Sequence, residues 1–215
     1  MNIAVVGANG RIGKQLIKLL QQNEEHSPRA IVRKKEQAET FQNKGIQSSL
    51  VDLEGTVEQI REGLDGADAV IFTAGSGGHT DSDKTLLVDL DGAVKTMEAA
   101  KQAEIKRFII VSALQAHNRE NWNESLKPYY AAKHFADKAL EQSGLTYTII
   151  RPGGLLDEPG TGQVAASENL SRGSIPREDV AKTVVASIAE EHTYNRGFDL
   201  TSGSEPIEEA VKNIG

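Results

Sequence analysis

Apolar residues occur along the chain in short uninterrupted runs that alternate with longer segments of helical periodicity. The first run covers residues 3–6 and is rich in β-branched side chains. The segment that follows carries apolar residues at positions 12, 16, 17, 19 and 20, with polar residues between them. The run predicts a buried strand and the segment predicts an amphipathic helix. We therefore expect the chain to begin with a strand, a turn and a helix.

Further strands and helices follow in the same alternation up to residue 150. A turn is expected at Ser27-Pro28, before the second strand. Strands that alternate with helices form parallel sheets with right-handed crossovers. The pattern thus predicts a Rossmann-type, doubly wound α/β fold with a mostly parallel sheet and helices on both faces. The expected strands cover residues 29–32, 46–51, 69–74, 106–111 and 145–150, and the longest expected helices cover residues 83–102 and 127–143.

The pattern is weaker beyond residue 154, where Gly, Pro, Ser and Asp are frequent. Because the chain contains no linker and no internal repeat, we predict a single domain over residues 1–215, with residues 155–215 as a small substrate-side region. The elements expected in this region are a short apolar run at 164–166, a helix at about 177–191, a strand at 197–200 and a terminal helix after Pro206.

Composition excludes several classes of protein. The net charge of −7 argues against a nucleic-acid surface, which needs clustered Lys and Arg. Without cysteine the chain has neither a disulfide framework nor a thiol nucleophile. No long apolar run occurs and the first strand begins at residue 2, so we expect no membrane span, no signal peptide and a cytoplasmic location. The expected partner is a small-molecule substrate, and both monomer and dimer are left open.

The turn between the first strand and the first helix contains three glycines, with Asn9, Arg11 and Ile12 between them. Gly7 allows a tight turn, Gly10 allows the backbone to approach a pyrophosphate, and Gly13 allows close packing of helix on sheet. The N–H groups and the positive end of the helix dipole would face the phosphates. Three glycines can also form a simple turn, but their place between strand and helix favours a dinucleotide site.

The residues after the second strand bear on the choice of cofactor. An NAD site usually has an acidic residue here, whereas an Arg accommodates the 2′-phosphate of NADP. This chain has Arg33-Lys34-Lys35 and no acid before Glu36. We therefore expect NADP(H) to be favoured over NAD(H), with Arg33 as the bidentate partner of the phosphate. The alternative is a solvated basic start to the next helix.

Other candidate cofactor residues follow later strands, because ligands of such sheets bind at the carboxyl ends of the strands. Asp52 and Leu53 follow the third strand and could lie beside the adenine. Alternatively, Asp52 only caps the next element. The glycine-rich loop 75–78 follows the fourth strand. The remaining candidates at this edge are Ala74, Gly75, Pro152, Gly153 and Gly154.

Ser112, Tyr129 and Lys133 form the candidate catalytic set. Ser112 ends the fifth strand, while Tyr129 and Lys133 lie four positions apart and share one face of a predicted helix. A phenol with a pKa of about 10 donates protons poorly, and a nearby ammonium would lower that pKa toward the working pH. Ser112 would hold the substrate oxygen, and Lys133 would also bind the hydroxyls of the nicotinamide ribose. Tyr130 leaves an alternative, since either tyrosine could be the stacking one.

The histidines, two aspartates and the single tryptophan give weaker functional signals. The five histidines show no ligand spacing, so we expect surface or loop positions and no metal site. Asp81 and Asp83 could bind a cation, but a polar loop and a helix cap explain them. Trp122, in the long segment 113–126, is either part of a lid that contacts substrate or an apolar plug for its loop.

Taken together, these motifs resemble the atypical short-chain dehydrogenase/reductases. The resemblance rests on residues 7–13, Asp52-Leu53, Ser112, residues 129–133 and Arg151-Pro152-Gly153. Residues 88–93, 97–100 and 177–181 are similar to the epimerase/dehydratase branch, and the closest likeness is to short bacterial NAD(P)H-binding proteins akin to flavin/biliverdin reductase and NmrA-like proteins. The resemblance implies catalytic positions at Ser112, Tyr129 and Lys133, and cofactor positions at Gly7, Gly10, Gly13 and Arg33.

Two departures from that family pattern shape the functional hypotheses. Asp89 stands where many epimerase relatives carry Asn, which argues against an Asn-based proton relay. Only about sixty residues follow the sixth strand, which argues against a nucleotide-sugar substrate. The leading hypothesis is an NADPH-dependent reductase of a small carbonyl, quinone or flavin-like acceptor. The alternatives are a non-catalytic NADP(H)-binding redox sensor and an NAD(P)-dependent sugar epimerase or dehydratase.

Overall fold

A nine-stranded sheet organises the computed structural model, which describes residues 1–77 and 82–214. Gly78, His79 and Asp81, considered above, lie outside the described residues. The strands are β1 (Asn2–Val6), β2 (Ser27–Val32), β3 (Gln47–Leu50), β4 (Ala69–Phe72), β5 (Arg107–Val111), β6 (Thr146–Pro152), β7 (Gly154–Leu156), β8 (Gln163–Ser167), β9 (Ser174–Pro176), β10 (Arg196–Ser202) and β11 (Glu205–Pro206).

The order of strands in the sheet is β11-β8-β10-β6-β5-β4-β1-β2-β3. Neighbouring strands from β3 to β10 pair in parallel, and β8 pairs antiparallel with both β10 and β11. The order of strands reverses between β1 and β4, which is where a doubly wound sheet opens a crevice for ligands. The expected Rossmann-type α/β fold is confirmed. Strands β7 and β9 form a separate two-stranded sheet.

Helices cover both faces of the sheet. The strands are apolar on both sides for this reason: along β1, Ile3 and Val5 pack into one hydrophobic cluster, and Ala4 and Val6 pack into the other. Helices α1, α2, α7 and α8 cover the first face, and α3, α5 and α6 cover the second. The α-helices are α1 (Arg11–Gln22), α2 (Lys35–Gln42), α3 (Val57–Leu64), α4 (Ser82–Lys84), α5 (Gly92–Gln102), α6 (Lys127–Glu141), α7 (Arg177–Ala186) and α8 (Ile207–Lys212).

The helix expected at 83–102 is not a uniform α-helix. A π-helix, Thr85–Asp91, lies between α4 and α5. Its wider turn carries Asp89, whose buried carboxylate accepts a hydrogen bond from the backbone N–H of Ser76 at 2.8 Å. Such π-helical turns often occur at functional sites.

The turn expected at Ser27-Pro28 is wrong, because both residues belong to β2. Ser27 and Pro28 pair with Asn2 and Ile3 of β1, whereas pairing of β2 with β3 begins only at Arg29. At Pro28, β2 therefore pairs with β1 but not with β3. The missing N–H group of the proline leaves no hydrogen bond to β3 unmade.

The C-terminal region contains more strand than the sequence pattern indicated. The run at 164–166 lies in β8, which joins the main sheet, while β7, β9 and β11 were not expected at all. The helix expected at 177–191 ends at Ala186, because the carbonyl groups of Ser187 and Ile188 accept hydrogen bonds from the buried guanidinium of Arg107. No helix among the described residues is long and apolar enough to cross a membrane.

Candidate functional site

The glycine turn after β1 packs too tightly for side chains at two positions. Gly7 has a φ of +84°, and a Cβ added there would lie 2.7 Å from the backbone of Ala74. A Cβ at Gly13 would overlap with the carbonyl oxygen of Gly7 and the backbone of Ala8. Gly10 is more open, with its nearest contact 3.1 Å away at the same carbonyl oxygen. The turn is thus built to bring the start of α1 against the sheet.

The amino terminus of α1 is free to bind an anion. Its N-cap residue is Gly10, no side chain caps the helix, and its first turn contains no acidic residue. The first N–H groups of a helix have no partner within the helix and carry partial positive charge. An uncapped helix terminus beside a glycine turn fits the pyrophosphate of a dinucleotide.

A groove of about 270 Å³ extends from this turn along the carboxyl ends of β2, β3 and β4. Ile12 and Gly13 lie on the buried face of α1, which packs behind the glycine turn. Gln37 also lines the groove, although the sequence pattern did not single it out. The candidate cofactor residues that line it are Gly7, Asn9, Gly10, Arg33, Asp52, Leu53, Ala74 and Gly75.

Of the three basic residues 33–35 that follow β2, Arg33 is the one that lines the groove. Its side chain is exposed and forms no ion pair with any described residue. Lys35 forms an ion pair with Glu39 at 3.8 Å on α2. Asp52 follows the neighbouring strand β3 and accepts a hydrogen bond from the N–H of Glu54 at 3.0 Å, so it both stabilises a turn and borders the groove.

Arg11, the other expected cofactor cation, points across the sheet edge toward the C-terminal region. It forms an exposed ion pair with Asp157 at 2.7 Å. The same carboxylate pairs with Arg177 at 2.8 Å. Arg11 therefore does not line the groove and instead joins α1 to the segment after β7.

A second pocket of about 280 Å³ lies beyond β5 and β6. Ser112 and Tyr129 line it, so the fold brings these two candidate catalytic residues together. Gly153 is closely packed there, because an added Cβ would overlap with the carbonyl of Gly173. The sequence pattern missed several other residues of this pocket, which come from segments far apart in the chain. Pro152 and Gly154, expected above at the cofactor site, line this pocket instead of the groove, and so do Gln115, Asn121, Leu126, Tyr130, Leu155 and Arg172.

Lys133 lies behind Tyr129, buried and paired with Asp89. Its ammonium is 3.3 Å from Asp89 Oδ1 and donates to the carbonyl of Val111 at 3.3 Å. The same ammonium lies 5.8 Å from the centre of the Tyr129 ring. Asp89, noted above only as a departure from a family pattern, therefore connects Lys133 to the loop at Ser76 that borders the groove.

The pKa values of this cluster follow from its burial. Burial raises the pKa of Tyr129 above its ordinary value, and the opposing effect of Lys133 is smaller. The expectation that Lys133 brings this pKa down toward the working pH is therefore wrong for the protein without cofactor. Burial alone would lower the pKa of Lys133, but Tyr129, Asp89 and Asp137 together raise it. The ammonium form of Lys133 and the neutral phenol of Tyr129 are favoured together.

Ser112 lies next to a second buried ion pair. Arg151 binds Asp137 at 3.0 Å, and both side chains are almost completely buried. Ser112 Oγ and Asp137 Oδ1 are buried without a well-aligned hydrogen bond, although the hydroxyl is near enough to oppose the rise in the pKa of Asp137. Burial is the larger effect, and it raises the pKa of Asp137.

Trp122 has the contacts of an apolar plug. Its indole N–H donates to the carbonyl of Ala116 at 3.1 Å, and its ring stacks on Tyr130 with centroids 6.0 Å apart. His134 packs against the same ring and is buried, contrary to the expected surface position. Within residues 1–77 and 82–214, no group of three His, Asp or Glu side chains is arranged to hold a metal ion.

Comparison with known proteins assigns the chain to a family. Residues 7–191 match the model of a family described as NAD(P)H-binding. The chain belongs to this NAD(P)H-binding family. That membership agrees with the glycine turn and the uncapped helix, and it confirms the resemblance to atypical short-chain dehydrogenase/reductases with epimerase/dehydratase relatives.

Relatives cover the whole length of the chain. A Bacillus subtilis (strain 168) protein named uncharacterized sugar epimerase YhfK is 63% identical, with 100% of each chain covered. A candidate NAD-dependent epimerase/dehydratase from Bacillus halodurans is 38% identical, with a TM-score of 0.92 and 99% of each chain covered. The oxidoreductase ylbE from Lactococcus lactis is 37% identical, with a TM-score of 0.90 over 100% of this chain and 96% of that one.

Proposed function

We propose that this NAD(P)H-binding protein is an NADPH-dependent reductase of a small carbonyl, quinone or flavin-like acceptor. The observation that supports the proposal most is the buried Asp89–Lys133 pair. Asp89 contacts the groove loop at Ser76, and Lys133 lies behind Tyr129 of the second pocket. One ion pair thus lies between a dinucleotide groove and a pocket with a proton donor.

The cofactor fits the groove through backbone groups and one cation. The turn at Gly7 and Gly10 and the uncapped terminus of α1 would hold the pyrophosphate, and Arg33 would bind the 2′-phosphate. Arg33 is the basis for proposing NADPH over NADH, since an exposed guanidinium without a protein partner is available to a dianion. When bound, the cofactor supplies a hydride to the acceptor.

Tyr129 would supply the proton that balances the hydride. For a carbonyl acceptor, the carbonyl carbon gains the hydride and the oxygen takes the phenolic proton, which gives an alcohol and a phenolate. Lys133 would stabilise that phenolate until it regains a proton from water. Ser112 lies at the pocket wall, but its hydroxyl is buried beside Asp137, so we assign it no contact with the substrate oxygen. Because burial raises the pKa of Tyr129, the phenol stays protonated at neutral pH, as a donor must.

The experiment follows nicotinamide absorbance while the protein meets NADPH and a panel of quinones, flavins, aldehydes and ketones. With a carbonyl substrate, Tyr129→Phe should lower turnover about 10²–10⁴-fold, which is the usual contribution of a positioned proton donor. Tyr130→Phe is the matched control and should keep nearly full turnover, because its ring stacks on Trp122 and its hydroxyl has no assigned role. Full turnover of Tyr129→Phe would remove Tyr129 from the acid role.

The pH dependence offers a further check on the same donor. Only the protonated phenol donates, and its pKa is above the ordinary 10.0 in the free protein. Loss of activity from ionisation of Tyr129 should therefore appear only above about pH 10. A decline of kcat/KM centred near neutral pH in the wild type, absent from Tyr129→Phe, would contradict that assignment.

A second candidate function is an NAD(P)-dependent epimerase or dehydratase, favoured by the names of two relatives. Such an enzyme reduces and reoxidises its cofactor within one cycle, so the nicotinamide should remain bound through purification. A reductase releases oxidised cofactor after each turnover.

Tight NADPH binding with no turnover of any acceptor would instead favour a redox sensor. For each enzyme function we propose a small-molecule substrate and a cytoplasmic location.

A further inference from the structure

The second pocket is lined by charge of one sign only. Among the described residues that line it, Arg172 is the only charged one. The dinucleotide groove differs, because Asp52 and Glu54 line it together with Arg33. A pocket with a single cation and no carboxylate is notable in a chain of net charge −7. Such a site favours ligands with an anionic group.

Arg172 is also unpaired, unlike the arginines on the neighbouring segments. Its side chain is exposed and forms no ion pair or hydrogen bond with any described residue. Arg11 and Arg177 both form an ion pair with Asp157. The guanidinium of Arg172 therefore keeps its donors available to a ligand.

The backbone on both sides of Arg172 is held in place. The N–H of Leu170 donates to the buried carboxylate of Asp199 at 3.0 Å, and the Gln115 side chain donates to the carbonyl of Leu170 at 3.1 Å. After Arg172, the carbonyl of Gly173 accepts from the N–H of Gly154 at 2.9 Å. These hydrogen bonds hold the backbone from which the Arg172 side chain extends at the pocket wall.

The rest of the pocket favours an apolar, planar ligand body. Leu126 and Leu155 are large apolar side chains that line the pocket and remain substantially exposed. The rings of Tyr129 and Tyr130 are half-buried at the same pocket. Exposed apolar and aromatic surface beside a few polar groups is typical of a small-molecule site.

We propose that Arg172 binds a carboxylate or phosphate group of the acceptor, whose apolar body packs against Leu126 and Leu155. This inference rests on the proposed function, because it assigns the second pocket to the acceptor. It narrows the acceptor to an anionic carbonyl, quinone or flavin-like compound. Arg172 acts in binding and takes no part in proton transfer.

The test measures binding to the protein saturated with NADP⁺, which holds the cofactor site filled and prevents turnover. Three aldehydes of similar size serve as probes: 4-carboxybenzaldehyde, 4-formylphenyl phosphate and the neutral methyl 4-formylbenzoate. Titration calorimetry should show at least one anionic probe binding about tenfold more tightly than the neutral ester, the effect of one charge-assisted contact. The two anionic probes distinguish carboxylate from phosphate recognition.

The variants isolate the side chain. Arg172→Gln should remove the preference for the anionic probe, and Arg172→Lys should retain part of it because the charge is kept. Arg196→Gln is the matched control, since Arg196 is exposed at the start of β10, at the opposite end of that strand from the pocket. This control should bind all three probes as the wild type does.

Several results would overturn the inference. These are equal affinity for charged and neutral probes, no measurable binding of either anionic probe, a preference that survives in Arg172→Gln, or a loss of NADP⁺ affinity in that variant. Turnover with NADPH is measured separately. If the Arg172-dependent preference is present but no acceptor in the panel turns over, the anion site stands and the proposed reductase function fails.

Discussion

The dinucleotide groove and the second pocket lie at the same edge of the sheet but are built differently. The groove combines the backbone of the turn around Gly7 and Gly10 with residues that follow β2, β3 and β4, among them the exposed cation Arg33. Beside the second pocket, charged side chains from separate elements are buried in pairs, such as Asp89 with Lys133. Each site offers an exposed arginine to a ligand, Arg33 in the groove and Arg172 in the pocket, but only the pocket is supported by buried ion pairs within the protein.

This difference has an energetic consequence. A backbone groove loses affinity when one contact is removed, while the fold is retained. A buried ion pair that loses one member leaves an uncompensated charge in a region of low dielectric, which destabilises the whole fold. Substitutions around the second pocket should therefore affect stability more than substitutions that face the groove.

The largest effect is expected for Lys133→Met. Removing the ammonium leaves Asp89 buried without its counter-ion, so the free energy of unfolding should fall by about 3–5 kcal/mol in urea titrations. Lys138→Met is the control on the same helix, because the Lys138–Glu141 pair is exposed and contributes about 0–1 kcal/mol. Adding Asp89→Asn to Lys133→Met should recover part of the loss. Equal losses in the two single variants would contradict the comparison.

Gly13→Ala should have a smaller effect on stability. Its added methyl group overlaps with the backbone of Gly7 and Ala8, and overpacking of this kind costs about 1–3 kcal/mol. Gly10→Ala is the matched variant, since its nearest contact lies at 3.1 Å. It should remain close to wild type in urea titrations and yet bind NADPH more weakly. Unchanged NADPH affinity in Gly10→Ala would argue that the pyrophosphate does not approach this turn.

Arg33→Ala should leave stability unchanged and alter cofactor choice. Loss of its contact with the 2′-phosphate should weaken NADPH binding about tenfold, while NADH binding stays nearly constant. Lys35→Ala serves as the control, because Lys35 pairs with Glu39. Fluorescence titration with both cofactors measures the effect. Equal weakening for NADPH and NADH would show that Arg33 does not recognise the 2′-phosphate.

The smallest effect is expected for the exposed ion pair that joins α1 to the segment after β7. The Arg11–Asp157 pair is exposed on both sides, at 69% and 65% of the side chains. Arg11→Ala removes this pair and leaves the Arg177–Asp157 pair in place, so it should lower the free energy of unfolding by about 0–1 kcal/mol at physiological salt, and less at high salt. A salt-independent loss of about 2 kcal/mol or more would show that this contact is not screened by water.

Local pattern was a good guide wherever chemistry depends on neighbours in sequence. The glycine turn, the basic residues after β2 and the shared face of Tyr129 and Lys133 could all be recognised, because turn geometry and helical spacing are set over a few residues. The pattern was least informative after residue 154. Strands such as β7 and β9 are too short to show periodicity, and they exist because each pairs with the other.

The amino-acid sequence by itself determined the parallel α/β architecture, the dinucleotide-type turn and the family of the protein, since these depend on local apolar period and glycine placement. Only the tertiary structure decided that Asp89 pairs with Lys133, that burial outweighs the ammonium in setting the pKa of Tyr129, and that Arg172 is unpaired at a pocket. Each of these depends on the distance and solvent exposure of groups far apart in the chain, which no local pattern records.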